Sequence, residues 1–244
     1  MGRHIDDPKG VFSDVTADYK AVFGNDLVAI VLYGSAAGPD FQPGSSDINF
    51  MVVLTEAGIR HIDQAFGLVD KWGKRGAAIP LFLTESYIES SLDVFPMEYL
   101  GFQRKHIQIY GKNILKDLAF KSQYVRLQCE REVKGKLLLL REAFMESRGK
   151  AKALKGVLKE AVPALTAIFE TLLYLKGIEI PGTRRDAVRA ATKAFGIDGD
   201  LFRRILDFRE ASVHIPDQEI VALFKSCLHE LERLSNIIDA FDEK

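Results

Sequence analysis

The sequence has few of the features that mark secreted, membrane-embedded or zinc-binding proteins. It has only two cysteines, Cys129 and Cys227, and neither has a neighbouring Cys or His at zinc-ligand spacing. No apolar run approaches the roughly 20 residues of a membrane helix, and the N-terminus lacks the apolar core of a secretory signal. We therefore expect two buried free thiols, a cytoplasmic protein and no association with a membrane.

The net charge gives no support to a function in nonspecific nucleic-acid binding. At −1, with 27% charged residues, the chain has no overall positive charge to attract nucleic acid nonspecifically. Three common motifs are also absent: the Gly-rich loop ending in Gly-Lys-Ser/Thr, the dinucleotide motif Gly-x-Gly-x-x-Gly, and His-Glu-x-x-His. With 47% hydrophobic residues over 244 positions, the chain can bury one large core or two modest ones, and we expect two domains.

Strand and helix patterns alternate in the first half of the sequence. The segment Leu27–Tyr33 is continuously apolar and rich in β-branched residues, which predicts a strand buried on both faces. Gly and Pro residues of 38–46 predict a loop, and Thr84 is placed to cap a short helix that ends near Leu92. The other elements predicted in this half are helices over 11–23 and 56–72 and strands over 47–54, 79–84, 97–102 and 106–110.

Beyond residue 117 every strong pattern has the 3.6-residue period of an amphipathic helix. Helices are predicted over 124–144, 151–175, 185–195, 201–213 and 219–241. Gly and Pro between them supply the short connections expected in an antiparallel bundle. The predicted fold class is therefore α+β, with a mixed sheet and flanking helices over residues 1–116 and an all-α bundle over residues 117–244.

The chemistry is concentrated between the first two predicted strands. The first ends in Gly34-Ser35, where glycine lets the chain turn sharply so that backbone N–H groups and the Ser35 hydroxyl can approach a phosphate. The second begins at Asp47, and Asn49 follows on the same face of the strand, roughly 7 Å away. An Asp-x-Asp pair at this spacing can hold two divalent cations, but position 49 offers only a neutral amide oxygen.

This order of an apolar strand, Gly34-Ser35, a Gly/Pro/Ser loop and Ser46-Asp47-x-Asn49 resembles the DNA polymerase β-like nucleotidyltransferase superfamily, in particular its minimal and aminoglycoside nucleotidyltransferase branch. The order of elements matches over about residues 25–115, and the specific motif spans Gly34 to Asn49. The resemblance implies that the Gly-Ser turn binds nucleotide phosphates. It also implies that two carboxylates on the next strand, with a third on a later strand, bind Mg²⁺. Gly34, Ser35 and Asp47 match, whereas Asn49 departs.

The resemblance leaves the third carboxylate and one serine to be assigned. Glu98 lies between apolar residues of the fourth predicted strand and is our choice for the third catalytic, metal-binding carboxylate, with Asp93 as its competitor. Ser46 either contacts phosphate or only shapes the turn before Asp47. Because Asn49 is neutral and cannot accept a proton, the acceptor-side metal should bind poorly, and nucleotide binding is easier to predict than turnover.

The helical half resembles two different domains. Arg209 and His214 have the Arg-x4-His spacing of the HEPN domain, often an RNase, in which His acts as acid or base and Arg stabilises the phosphate in the transition state. Glu210 beside the Arg would repel RNA. The same bundle resembles the substrate-binding domain of the kanamycin nucleotidyltransferase type. Cations of its first helix, such as Arg131 and Lys134, then either line a cleft or form ion pairs on a solvated face.

We therefore expect a nucleotidyltransferase that binds a nucleoside triphosphate, ATP or another, with Mg²⁺. It would transfer a nucleoside monophosphate to a hydroxyl of an unidentified small-molecule or macromolecular acceptor. The alternative is a degenerate nucleotidyltransferase fold that acts as a nucleotide-binding or partner-binding module, so enzymatic activity itself stays open. An RNase of the HEPN type is a third interpretation, with RNA as its partner. Independently of these interpretations, a second copy of the chain stays a candidate partner.

Overall fold

The structure, a computed structural model, describes residues 5–44, 46–210 and 213–241. The chain divides into two compact units, the first ending at Phe120 and the second beginning at Lys121. The first unit contains a mixed sheet with flanking helices, and the second contains helices alone. This confirms the predicted α+β class. Within the described ranges, no helix is long and apolar enough to cross a membrane.

The first unit is built around four strands, namely β1 (Leu27–Tyr33), β2 (Asn49–Leu54), β3 (Leu81–Thr84) and β4 (His106–Gly111). Their order in the sheet is β3-β2-β1-β4. β1 pairs antiparallel with β2 and β4, whereas β2 and β3 run parallel. Residues 29–32 of β1 have no exposed surface, which confirms a central strand covered on both faces.

One face of the sheet packs against helix α1 (Phe12–Phe23). Val15 and Tyr19 of this helix share a buried cluster with alternate residues of β1 and β2, among them Ile30 and Phe50. Side chains alternate between the two faces of a strand, so the neighbours of these residues face the other way. This alternation determines which residues of β2 are available for a site on the opposite face.

The strand predicted over 97–102 is wrong, because these residues lie in helix α4 (Pro96–Arg104). Pro96 occupies the first turn of the helix, where its missing N–H would have had no intrahelical partner. Met97, Tyr99 and Leu100 are the buried residues that follow, and their spacing covers one side of a helix. Over so short a segment, the alternation of apolar and polar residues fits either period, and the proline decides for the helix.

Two further helical predictions in this unit have different outcomes. Thr84 caps α3 (Glu85–Ser90) as predicted, because its Oγ1 accepts a hydrogen bond of 3.1 Å from the N–H of Tyr87. The single helix predicted over 56–72 is instead a 3-10 helix, Gly58–Ala65, followed by α2 (Phe66–Gly73). His61 has a φ of −121°, which interrupts the helical geometry.

The second unit is a helical bundle made of α5 (Ser122–Ser147), α6 (Ala151–Leu175), α7 (Arg184–Phe195), α8 (Gly199–Arg209) and α9 (Asp217–Asp239). Helix α6 packs against each of the other four, and its buried face extends over almost its whole length. The predicted helices are confirmed, although α8 ends at Arg209 rather than at residue 213. Ala211 and Ser212, which the prediction included, lie outside the described residues.

Candidate functional site

Strand β1 ends in a turn that glycine adopts readily and other residues do not. Gly34 has a φ of +79°, in the left-handed region that a Cβ disfavours. Its N–H donates to the carbonyl of Lys105 at 3.0 Å, and the chain continues as a single 3-10 turn, Gly34–Ala37. The turn therefore places Ser35 directly beyond the end of the strand.

Asp47 and Asn49 come to the same end of the sheet because β1 and β2 are antiparallel. Asn49 is paired with Tyr33, the residue that precedes Gly34. Ile48 is buried in the core cluster, so its two neighbours lie on the opposite face, where Asp47 is exposed and Asn49 is half-buried. We refer to this end of the sheet, with Gly34, Ser35, Asp47 and Asn49, as the Gly-Ser end.

The side chain of Asn49 is held against the backbone of the same segment. Its Nδ2 donates to the carbonyl of Asp47 at 3.5 Å, the long limit of a hydrogen bond. A Cβ added to Gly34 would lie 3.7 Å from this nitrogen. Oδ1 is then the only atom of the Asn49 side chain that can bind a cation, and it has no net charge.

Ser46 takes part in the turn that precedes Asp47. Its N–H donates to the carbonyl of Gln42 at 2.8 Å, and its Oγ accepts from the N–H of Gln42 at 3.0 Å. These two reciprocal bonds fix the turn between the two residues. A hydroxyl that accepts in this way still has its own O–H to donate, so contact with a phosphate remains compatible with this geometry.

Glu98 does not lie on a strand, contrary to the prediction. It occupies the first turn of α4 and is exposed there, where the positive end of the helix dipole favours an acidic residue. Asp93, the competitor, is exposed in the turn between α3 and α4. Neither residue therefore occupies the strand position on which its assignment as a metal ligand depended.

The four strands themselves contain no Asp or Glu. On β4, the register places His106 opposite Tyr33 and Gln108 opposite Val31. His106 Nδ1 lies 3.0 Å from the carbonyl of Gln103, and because a carbonyl only accepts, Nδ1 must donate. On the face that carries Asn49, the later strand thus has an imidazole and an amide in place of the carboxylate that the resemblance implies.

An ion pair that sequence reasoning missed lies at the same end of the sheet. Lys105 Nζ is 3.3 Å from Asp40 Oδ2, and the two side chains are 19% and 20% exposed. Lys105 directly precedes His106, and its carbonyl is the one that accepts from Gly34. Asp40 lies in the loop between the Gly-Ser turn and Asp47. The pairing joins residues 65 apart in the chain, so no local sequence signal could have revealed it.

The Gly-Ser end offers a metal ion few charged ligands. Over the described ranges, no group of three or more His, Cys, Asp or Glu side chains has the arrangement of a metal site. Asp47 is the exposed carboxylate of this end, and Asn49 adds at most a neutral oxygen. A cation bound here would need most of its oxygen ligands from a phosphate and from water.

In the helical unit, Arg209 has a structural contact. Its Nη1 donates to the carbonyl of Lys159 at 2.8 Å, and burial lowers the pKa of its guanidinium. Glu210 is paired with Arg185 at 2.7 Å, and His214 is exposed in the segment that leads to α9. The arginine of the proposed RNase pair is therefore engaged with the backbone of another helix.

Four cations of α5 form ion pairs. Glu130 accepts from Arg126 at 2.8 Å and from Lys134 at 2.5 Å, and these pairings lower the pKa of the Glu130 carboxyl, that with Lys134 most. Arg141 is 2.9 Å from Glu232, and Arg131 is 3.8 Å from the carboxylate that follows it. Of the two interpretations of this helix, the structure supports ion pairs along its surface.

A cavity of about 560 Å³ lies between α7 and α8, within the helical unit. Its charged lining is largely neutralised by neighbouring acids. Arg185 and Arg203 both pair with Asp207, and Arg189 pairs with Asp186. The cavity is therefore not an evident site for a polyphosphate.

The chain matches no protein-family model and no curated protein. It is similar to a solved structure, the crystal structure of spectinomycin adenyltransferase AAD(9) from Enterococcus faecialis with ATP and spectinomycin. The TM-score is 0.53 at 13% sequence identity, over 92% of this chain and 99% of that chain. At this identity the similarity shows that the two proteins share a fold.

Proposed function

We propose that this protein is a nucleotidyltransferase-like protein that binds a nucleoside triphosphate, ATP or another, with Mg²⁺ at the Gly-Ser end. The observation that carries the proposal is the meeting of Gly34, Ser35 and Asp47 at one end of the sheet. The shared fold supports it, because AAD(9) was crystallised with ATP.

The residues of the turn would have different roles in phosphate binding. The N–H of Gly34 is already bonded to Lys105, so the role of the glycine is to let the chain turn at a positive φ. Ser35, the next residue, would donate its hydroxyl to a phosphate oxygen. The hydroxyl of Ser46 can add a second donor from the turn before Asp47.

One Mg²⁺ fits this set of residues better than two. Asp47 supplies a charged oxygen, and triphosphate oxygens and water supply the remaining ligands that Mg²⁺ requires. A second ion would need a charged ligand at position 49, where Asn49 offers a neutral one. When bound, the ion neutralises phosphate charge and orients the triphosphate.

Nucleotide binding is tested by thermal unfolding and titration calorimetry with ATP, with and without Mg²⁺. Wild type should be stabilised by ATP only when Mg²⁺ is present, and Asp47→Ala should lose the shift. Asp63→Ala is the matched control, because this exposed acid follows the opposite end of β2. No binding of any nucleoside triphosphate by the wild type would refute the proposal.

The second candidate is transfer of a nucleoside monophosphate to an acceptor hydroxyl. The shared fold favours it, because AAD(9) is an adenyltransferase. Asn49 disfavours it, because a neutral side chain neither holds a second metal strongly nor accepts a proton. Glu98 can serve as the third carboxylate only from its place on α4.

Pyrophosphate release by wild type and by Asn49→Asp separates transfer from binding alone. Both proteins are supplied with ATP, Mg²⁺ and a panel of hydroxyl acceptors that begins with spectinomycin. Transfer by the wild type identifies an enzyme, and transfer by the variant alone identifies a degenerate site. Binding by both without transfer by either favours a nucleotide-binding module.

A further inference from the structure

The segment that would bind the triphosphate contains no positive charge. From Gly34 to Asn49 there is no Lys or Arg, and the segment carries two acids, Asp40 and Asp47. A triphosphate placed against it meets carboxylates of its own sign, and one Mg²⁺ offsets only part of the combined negative charge. A protein cation at this end of the sheet would remove much of that repulsion.

Lys105 is placed to supply this cation. Its backbone carbonyl binds the N–H of Gly34, so its side chain begins beside the Gly-Ser turn. The next residue, His106, is paired with Tyr33 at the end of β1. A lysine ammonium is a compact charge on a flexible stem, and it binds phosphate readily.

The ammonium group of Lys105 already has an acidic partner in this structure. Nζ lies 3.3 Å from Asp40 Oδ2, and about four-fifths of each side chain is buried. Water and salt screen such a pair less than an exposed one, so the attraction between Asp40 and Lys105 is stronger than that of a fully exposed ion pair. A phosphate that approaches Lys105 therefore has to compete with Asp40.

We propose that Lys105 binds the phosphates of the nucleotide and that Asp40 competes with them for it, so that the Asp40–Lys105 pair lowers the affinity of the site. This inference rests on the proposed function. Asp40 lies in the Gly/Pro-rich loop that joins the Gly-Ser turn to Asp47. Removing the charge of Asp40 should therefore strengthen binding, whereas removing that of Lys105 should weaken it.

The chain offers a matched control at the other end of the same strand. Lys112 follows β4 just as Lys105 precedes it, and it forms an ion pair with Glu85. Lys112→Met and Glu85→Gln thus break a lysine–carboxylate pair away from the Gly-Ser end. A general effect of lost charge on binding would appear in both sets of variants.

The experiment measures the dissociation constants of Mg-ATP and of inorganic tripolyphosphate with Mg²⁺ by calorimetry. We expect Lys105→Met to weaken both about tenfold, Lys105→Arg to retain most of the affinity, and Asp40→Asn to tighten both by about threefold to tenfold. The control variants should bind as the wild type does. Circular dichroism of each variant distinguishes lost binding from lost structure.

The outcomes separate this inference from the proposed function. If wild type binds ATP, Asp47→Ala does not, and Asp40→Asn binds no more tightly than wild type, the competition is wrong although the site is right. Unchanged binding by a folded Lys105→Met would overturn the role of the lysine. If neither wild type nor Asp40→Asn binds either ligand, both the proposed function and this inference fail.

Discussion

Pro163 creates a defect in α6 that Arg209 compensates. A proline inside a helix has no N–H for the carbonyl four residues earlier, which here belongs to Lys159. Arg209 lies at the end of α8, and its Nη1 donates to this carbonyl at a distance of 2.8 Å. We therefore predict that the contribution of Arg209 to stability depends on the proline.

The expected loss of unfolding free energy follows from the kind of hydrogen bond that Arg209→Ala removes. Arg209→Ala removes a charge-assisted hydrogen bond at a partly exposed carbonyl, which should cost about 1 kcal/mol of unfolding free energy. Pro163→Ala restores the helical N–H and should stabilise α6 by about 1–3 kcal/mol, because proline is the poorest residue in a helix interior. With that N–H present, Arg209→Ala should cost much less, so the two substitutions should couple by about 1 kcal/mol.

Urea unfolding of the four proteins of this double-mutant cycle, followed by circular dichroism, measures the coupling. Arg204→Ala is a matched control, because this arginine lies on the same helix and pairs with Glu219 at 2.7 Å. Arg204→Ala should lower the free energy of unfolding by the same amount with and without Pro163. An equal cost of Arg209→Ala in the two backgrounds would refute the assignment and reopen a functional role for the guanidinium.

Three other features of the chain give predictions of their own. Gly34→Ala should destabilise the first unit by about 1–2 kcal/mol, measured by urea unfolding, because its φ of +79° disfavours a Cβ. Burial raises the pKa of the Cys129 and Cys227 thiols from 9.0 to about 12. The thiols of the unfolded chain therefore ionise at a lower pH than those of the folded protein. The free energy of unfolding should be at its full value below pH 9 and should fall by up to about 1.4 kcal/mol per pH unit per thiol up to about pH 12. The slope should be smaller in Cys227→Ala. RNA incubated with wild type or His214→Ala should stay intact, and cleavage lost only in the variant would restore the RNase interpretation.

The elements that the sequence revealed are those whose signal is local and strong. Leu27–Tyr33 is apolar throughout and forms β1 with the predicted bounds. Helix α6 was likewise predicted from residue 151 to 175, because its apolar stripe persists over many turns. Thr84 was recognisable as a cap because a threonine side chain can bond the third N–H beyond it.

Helix α4 was missed because its signal is short and ambiguous. Apolar residues over 97–102 alternate with polar ones well enough to suggest a strand. Pro96 was the contrary local signal, since proline is common in the first turn of a helix. Tertiary packing adds a reason that the sequence does not show: Phe102 of α4 lies 4.6 Å, ring to ring, from Tyr33 of β1.

The candidate site likewise combines residues that are close in the sequence with residues that only the fold brings together. Gly34, Asp47 and Asn49 lie in one short segment, and a strand, loop and strand are enough to bring them to one end of the sheet. Lys105 and Asp40 meet only because β4 pairs with β1 on the far side from β2. Sequence spacing does not encode that neighbour relation, so the cation of this end appeared only with the fold.

The charges at the Gly-Ser end bear on how a nucleotide would bind there. Asp40 and Lys105 offset each other, which leaves Asp47 as the uncompensated acid among the charged residues assigned to this end. An aspartate at position 49 would double that uncompensated charge and could attract a second divalent ion. With Asn49, we expect the same end to hold one ion beside a triphosphate, and displacement of Asp40 from Lys105 would add one protein cation. The cation at 105 would strengthen the binding of the phosphates, whereas the neutral residue at 49 disfavours their transfer.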